Sequence, residues 1–212
     1  MHYHIITAFP EAFDSYLKTS ILSRAREKGL ITVSLYNPRD FTTDPHGKID
    51  DRPYGGGPGM VLSALPMLSA VQKATEGLPR DDVGIVLFSP HGEHYTNTIA
   101  DEFKEAYKHL VLICGHYEGV DARVEEILRP RAISIGNYVL SGGELPALVL
   151  IDVLSRRLPG VLGNEDSVEE LRVAGKKTYT RPECFSWEGE EYCIPEVLKS
   201  GDHAKIDEFR KG

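Results

Sequence analysis

The chain reads as an α/β protein built on a parallel sheet, and three features predict this. Short apolar segments bounded by turn signals alternate with segments of helical spacing. Strand candidates such as Val83–Phe88 and Leu110–Cys114 are apolar throughout, as strands covered on both faces must be. Several strand ends carry chemically loaded residues, and open parallel sheets bind ligands beyond the carboxyl ends of their strands.

Taken in order, Tyr3–Ala8 alternates and predicts a first strand. Pro10 opens a helix over Glu11–Leu17, and Ser20–Lys28 forms a second helix, stopped by Gly29. Leu30–Tyr36 is a strand. From Asn37 to Met60 the pattern dissolves into a long loop with a triple glycine. Ser63–Thr75 is helical, with Leu65, Leu68, Val71 and Gln72 on one side. Val83–Phe88 is a strand ending in Ser89-Pro90. Asn97–Tyr107 is a helix with Ile99, Phe103 and Ala106 inward. Leu110–Cys114 is a strand, Val120–Leu128 a helix and Ala132–Ile135 a strand. Glu144–Arg157 is a long helix whose Leu145–Ile151 run is nearly all apolar, so burial on most sides is expected. After Pro159-Gly160 the pattern weakens. The division is a domain over residues 1–162, a flexible linker over 163–178 and a small helical domain over 179–212. Pro195–Lys199 and Asp202–Arg210 supply its helices, with Asp202 as an N-cap.

The 212 residues are 41% hydrophobic and 26% charged, the balance of a soluble globular protein. No apolar run approaches the roughly 20 residues that span a bilayer, and the start of the chain lacks the pattern of a secretory signal. Cys114, Cys184 and Cys193 form an odd set without a CxxC pair, so reduced thiols, a cytoplasmic location and no zinc site are expected. A net charge of −8 argues against coating nucleic acid. Arg156-Arg157 and the acid-free run holding Arg172, Lys176, Lys177 and Arg181 instead offer a local basic patch.

The stretch Ile133–Leu145, ISIGNYVLSGGEL, is the most informative. Gly136 ends a strand and Gly142-Gly143 interrupt the chain again before a helix. The main-chain polar groups between these breaks need partners if they are buried. An adenine edge or a tight crossing of the chain would each provide them. There is no GxGxxG after the first strand and no GxxxxGK[ST], so neither a common dinucleotide site nor a P-loop is supported.

Over nearly its whole length the chain resembles the bacterial tRNA (guanine-N1)-methyltransferases of the SPOUT class. The resemblance rests on Asp50-Asp51-Arg52-Pro53-Tyr54-Gly55-Gly56-Gly57-Pro58-Gly59-Met60, on Ser89-Pro90-x-Gly92, and on Cys114-Gly115-His116-Tyr117-Glu118-Gly119-Val120-Asp121. It continues through Ile133–Gly143, Ile151-Asp152 with Arg156 and Pro159–Gly163, Tyr179-Thr180-Arg181-Pro182, and Pro195–Leu198 with Ser200-Gly201. It implies a deep trefoil knot, an S-adenosylmethionine site within it, and a homodimer with composite active sites. The substrate would be tRNA with guanosine at position 37, and no membrane would be involved.

By the same resemblance, Gly115, Ile135, Gly136, Asn137, Tyr138, Val139 and Leu140 hold the cofactor. Phe88, Ser89, Pro90, Tyr117, Glu118, Gly119, Gly142, Gly143 and Pro146 form the pocket wall, while Asp50, Tyr54, Pro58, Gly59 and Arg181 meet the RNA. Methylating N1 of guanine requires removal of its proton and stabilisation of charge on O6. Arg156 matches the arginine for O6 and Asp166 is the expected base. Because the linker is shorter than usual, Glu169 or Glu170 could substitute, or the base could be lost, leaving a knotted cofactor- and RNA-binding homologue with impaired catalysis. Asn137 and His91 stand where the family has aspartate and glutamine. The first change bears on any magnesium dependence, and no resident metal is expected.

Overall fold

The computed structural model describes residues 1–162 and 177–211, which fall in two compact units, Met1–Gly163 and Asn164–Gly212. The first unit runs β1 (His2–Ile6), a 3₁₀ turn, α1 (Asp14–Leu17), α2 (Ser20–Glu27) and β2 (Thr32–Tyr36). A two-stranded ribbon follows, β3 (Asp50–Asp51) and β4 (Val61–Leu62), then α3 (Ala64–Thr75). Next come β5 (Val83–His94), α4 (Asn97–Ala106), β6 (His109–Ile113), α5 (Arg123–Leu128), β7 (Arg131–Ser134) and α6 (Glu144–Ser155).

The main sheet has strand order β2-β1-β6-β5-β7, and every pairing in it is parallel. Alternate residues of each strand feed opposite faces. Tyr3, Ile5, Leu110, Leu112 and Phe88 join Ile99, Phe103, Leu150 and Leu154 in one core. Ile6, Val111, Ile113 and Leu87 join Met67, Val71 and Val124 in the other. Two buried faces account for strands apolar along their length.

Several helix faces differ from expectation. In α3 the buried side is Ala64, Met67, Ala70, Val71 and Ala74, and Leu65 is exposed. In α4 Ala100 is buried and Ala106 is exposed. Leu145 and Val149 of α6 are 59% and 41% exposed, so this apolar helix has one uncovered side. Strand β5 also runs past Phe88 to His94. Its pairing shifts there, with Phe88 and Glu93 both opposite Ile133, and Ser89–Gly92 bulges from the ladder.

The second unit is not purely helical. It opens with a hairpin, β8 (Cys184–Trp187) and β9 (Glu190–Cys193), before a 3₁₀ turn at Glu196–Lys199 and α7 (His203–Lys211). Glu188 and Gly189 both take positive φ, as a two-residue hairpin turn requires. That turn sets Cys184 opposite Cys193, and the two form a disulfide. The expectation of reduced thiols is therefore corrected at this pair. The search for a CxxC spacing missed partners created by strand register. Cys114 remains a free thiol, and burial pushes its pKa well up.

Candidate active site

Where β5 bulges, and beyond the carboxyl ends of β6 and β7, lies a cavity of about 360 Å³. Its walls are the Phe88–His91 bulge, the Gly115–Val120 loop and the segment from Ile133 to Gly143, closed by Pro146 of α6. All the residues expected to hold the cofactor or wall its pocket line this cavity except Asn137, which is exposed and not among the lining residues. Glu125 and Ser134 also line it, though neither was singled out from sequence. Strand-end position was the only signal for Ser134, and Glu125 sits on a helix in which no site residue was expected.

Local geometry explains the glycine punctuation. A Cβ on Gly143 would lie 2.6 Å from the Cα of Cys114, closer than real side chains approach. The Gly143 N–H donates to the Gly115 carbonyl at 2.9 Å, and His116 bridges Gly142. The two loops thus cross main chain on main chain, as one of the two readings of this stretch required. At Gly136 the missing Cβ makes room for the Tyr138 ring. The Tyr138 hydroxyl donates to the Ile135 carbonyl at 3.1 Å, and the ring stays exposed rather than joining the core.

Among the described residues, the cavity lining carries Glu118 and Glu125 and no lysine or arginine. Beneath the Gly142 crossing, Glu144 is buried, accepts from the Thr7 hydroxyl at 2.8 Å and lies 3.8 Å from His116 Nδ1. That ring nitrogen is buried without a hydrogen-bond partner among the described residues. Such a wall suits a compact cation better than a polyphosphate.

The Asp50–Met60 loop is tied to the cavity rim. The Glu118 N–H donates to the Met60 carbonyl and the Leu62 N–H to the Gly119 carbonyl, each at 3.0 Å. Tyr54, Pro58 and Gly59 are exposed and Asp50 is half-buried. Arg181 is exposed in the second unit.

Arg156 does not line the cavity. It caps the far end of α6, whose other end carries Pro146, and a 12-residue helix spans about 18 Å. Nearby, the Tyr16 hydroxyl donates to Asp152 at 2.5 Å, which raises the Tyr16 pKa. The Arg156 Nε is buried without a partner among the described residues. Arg157, expected as part of a basic surface patch, is instead largely buried and lies 3.5 Å from Asp101. Asp166, Glu169, Glu170, Arg172 and Lys176 lie outside the described residues.

Residues 1–212 match the family model described as tRNA (Guanine-1)-methyltransferase TrmD. The chain belongs to this family. Among its curated relatives, the tRNA (guanine-N(1)-)-methyltransferase of Thermomicrobium roseum is 47% identical over 214 residues, covering 100% of this chain and 78% of the relative. Its counterpart from Carboxydothermus hydrogenoformans is 46% identical, covering 100% of this chain and 81% of that one. The one from Clostridioides difficile is 43% identical and is covered over 91% of its length. Family membership agrees with the motif reading of the sequence.

Proposed function

We propose that this protein transfers the methyl group of S-adenosylmethionine to N1 of guanosine at position 37 of tRNA, next to the anticodon. The observation that carries the reading is the cavity at the Gly115–Gly143 crossing, lined among the described residues by loop backbone and carboxylates without lysine or arginine. Residues Ile135–Leu140 and Gly115 would hold the adenosyl part through main-chain groups, and Glu118 and Glu125 would favour the positive sulfonium. The bound cofactor supplies an electrophilic methyl. Asp166 removes the N1 proton, and Arg156 stabilises charge on O6 through its fixed fork of donors. The close crossing of the two glycine loops supports a trefoil-knotted chain path.

Arg156 and the cavity sit at opposite ends of α6, so one chain does not join them within a guanine's reach. A homodimer with composite sites removes this difficulty. The exposed Leu145 and Val149, together with exposed Tyr138 and Val139, supply an apolar surface for the second copy. The orphaned Arg156 Nε fits a partner brought by that copy or by the substrate. The second unit and the Asp50–Gly59 loop would receive the RNA. A cytoplasmic location follows from a tRNA substrate and no longer from the cysteines. Among the described residues no helix is long and apolar enough to cross a membrane. A knotted binding module without catalysis gains no support from the relatives.

The test is methyl incorporation from labelled cofactor into tRNA transcripts with guanosine at positions 36 and 37, across a full magnesium range. N1-methylguanosine at position 37 is the expected product. Absence of incorporation under all those conditions overturns the enzymatic reading.

A further inference from the structure

At the other end of the sheet, three histidines meet. His2 and His4 project from one face of β1, and His109 opens β6 directly opposite His2. His4 is buried, while His2 and His109 are half-buried and give access from solvent. The ligating nitrogens of all three lie within 4.8 Å of one another. His4 Nε2 and His109 Nδ1 are 3.1 Å apart. Two imidazole nitrogens bound tetrahedrally to zinc at 2.0–2.1 Å stand about 3.3 Å apart, nearly the same spacing.

The surroundings are those of a ligand set. Metal-bound imidazoles commonly engage a polar group with their second nitrogen, which fixes ring orientation. Here the Tyr36 hydroxyl holds His4 Nδ1 at 3.2 Å, and the Ser34 hydroxyl holds His2 Nε2 at 2.8 Å. In the metal-free chain His4 Nε2 and His109 Nδ1 are hydrogen-bonded to each other, and a bound ion would take the place of that shared proton. The rest of β1 is isoleucine and tyrosine, and the three imidazoles gather on one another, His2 stacked on His4 with ring centroids 3.9 Å apart.

We propose that His2, His4 and His109 form a site for a divalent transition metal ion of the zinc class, at the amino-terminal end of the sheet and away from the methyl-transfer cavity. Three neutral nitrogens and no carboxylate disfavour magnesium and calcium and suit zinc, cobalt, nickel or copper. The ion would clamp β1 to β6 and leave a fourth position for water. The expectation of no zinc site rested on cysteine spacing, whereas these ligands come from strands far apart in sequence.

The test uses the full chain without an affinity tag, stripped by chelator and titrated with Zn²⁺ by calorimetry and with Co²⁺ by visible spectroscopy. Expected are one ion per chain, visible cobalt bands of a tetrahedral nitrogen-rich site, and a melting temperature raised by about 5 °C or more at a hundredfold excess of zinc over Kd. His4 is too buried to be the test variant, so His2→Ala and His109→Gln at the rim are used, each lowering affinity at least tenfold. The Cys184→Ser/Cys193→Ser double variant should bind as the parent does. Absence of saturable binding and of cobalt bands in the parent overturns the site. Unchanged affinity in both histidine variants, or loss confined to the cysteine variant, does the same.

Discussion

The two ends of one sheet do different chemistry by different means. At the carboxyl ends, β6 and β7 run into glycine-broken loops, and main-chain groups freed from the ladder line a cavity. At the amino ends of β1 and β6, the backbone is held in a parallel ladder, and side chains are all that can act. Loop ends therefore recognise ligands through bare backbone and tolerate little added bulk. Strand starts present functional groups whose spacing is set by register, and they depend on side-chain identity.

The largest effect expected is at the base: Asp166→Ala should lower turnover by about 10²–10⁴-fold. Its calorimetric affinity for S-adenosylhomocysteine, and any zinc affinity, should match the parent. Unchanged turnover would move the role to Glu169 or Glu170.

Gly143→Val attacks the backbone end itself. Its side chain cannot fit against Cys114, so affinity for S-adenosylhomocysteine should fall about a hundredfold or more, with a stability loss of about 1–3 kcal/mol. Normal binding by this variant would break the claim that bare main chain makes the site.

Acid should act mainly on the histidine end of the metal-free chain. Burial, with repulsion from His2 and His109, holds the His4 pKa at about 4, against 6.5 ordinarily. Above pH 6.5 the ring is neutral in both folded and unfolded chains and contributes no pH dependence. As pH falls from 6.5 towards 4, the unfolded chain takes up a proton that the folded chain refuses, and stability declines. The loss should be on the order of 2 kcal/mol by pH 4, measured by denaturant melts from about pH 7 down to pH 4.

The smallest effect is Tyr36→Phe, which removes the hydroxyl beside His4. It should weaken zinc about tenfold and leave cofactor affinity untouched. A change in cofactor affinity instead would mean the two ends are coupled.

Much of this was legible in the sequence. Uniformly apolar strands announce a parallel sheet, and the glycines of Ile133–Leu145 announce a place where backbone must come close. The orientation of α3 and α6 was not legible, because Leu65, Leu145 and Val149 are apolar yet face outward. Apolar identity does not say which side of a helix has a neighbour. The bulge at Ser89–Gly92 was likewise hidden, since it arises where β5 meets β7.

What the sequence determined by itself is local: strand and helix periods, breaks in the backbone and the family's motif order. These depend on φ, ψ and side-chain type within a few residues. Tertiary structure decided the pairing of Cys184 with Cys193, the separation of Arg156 from the cavity and the meeting of His2, His4 and His109. Each depends on register between strands or on helix length, and residue type alone states neither.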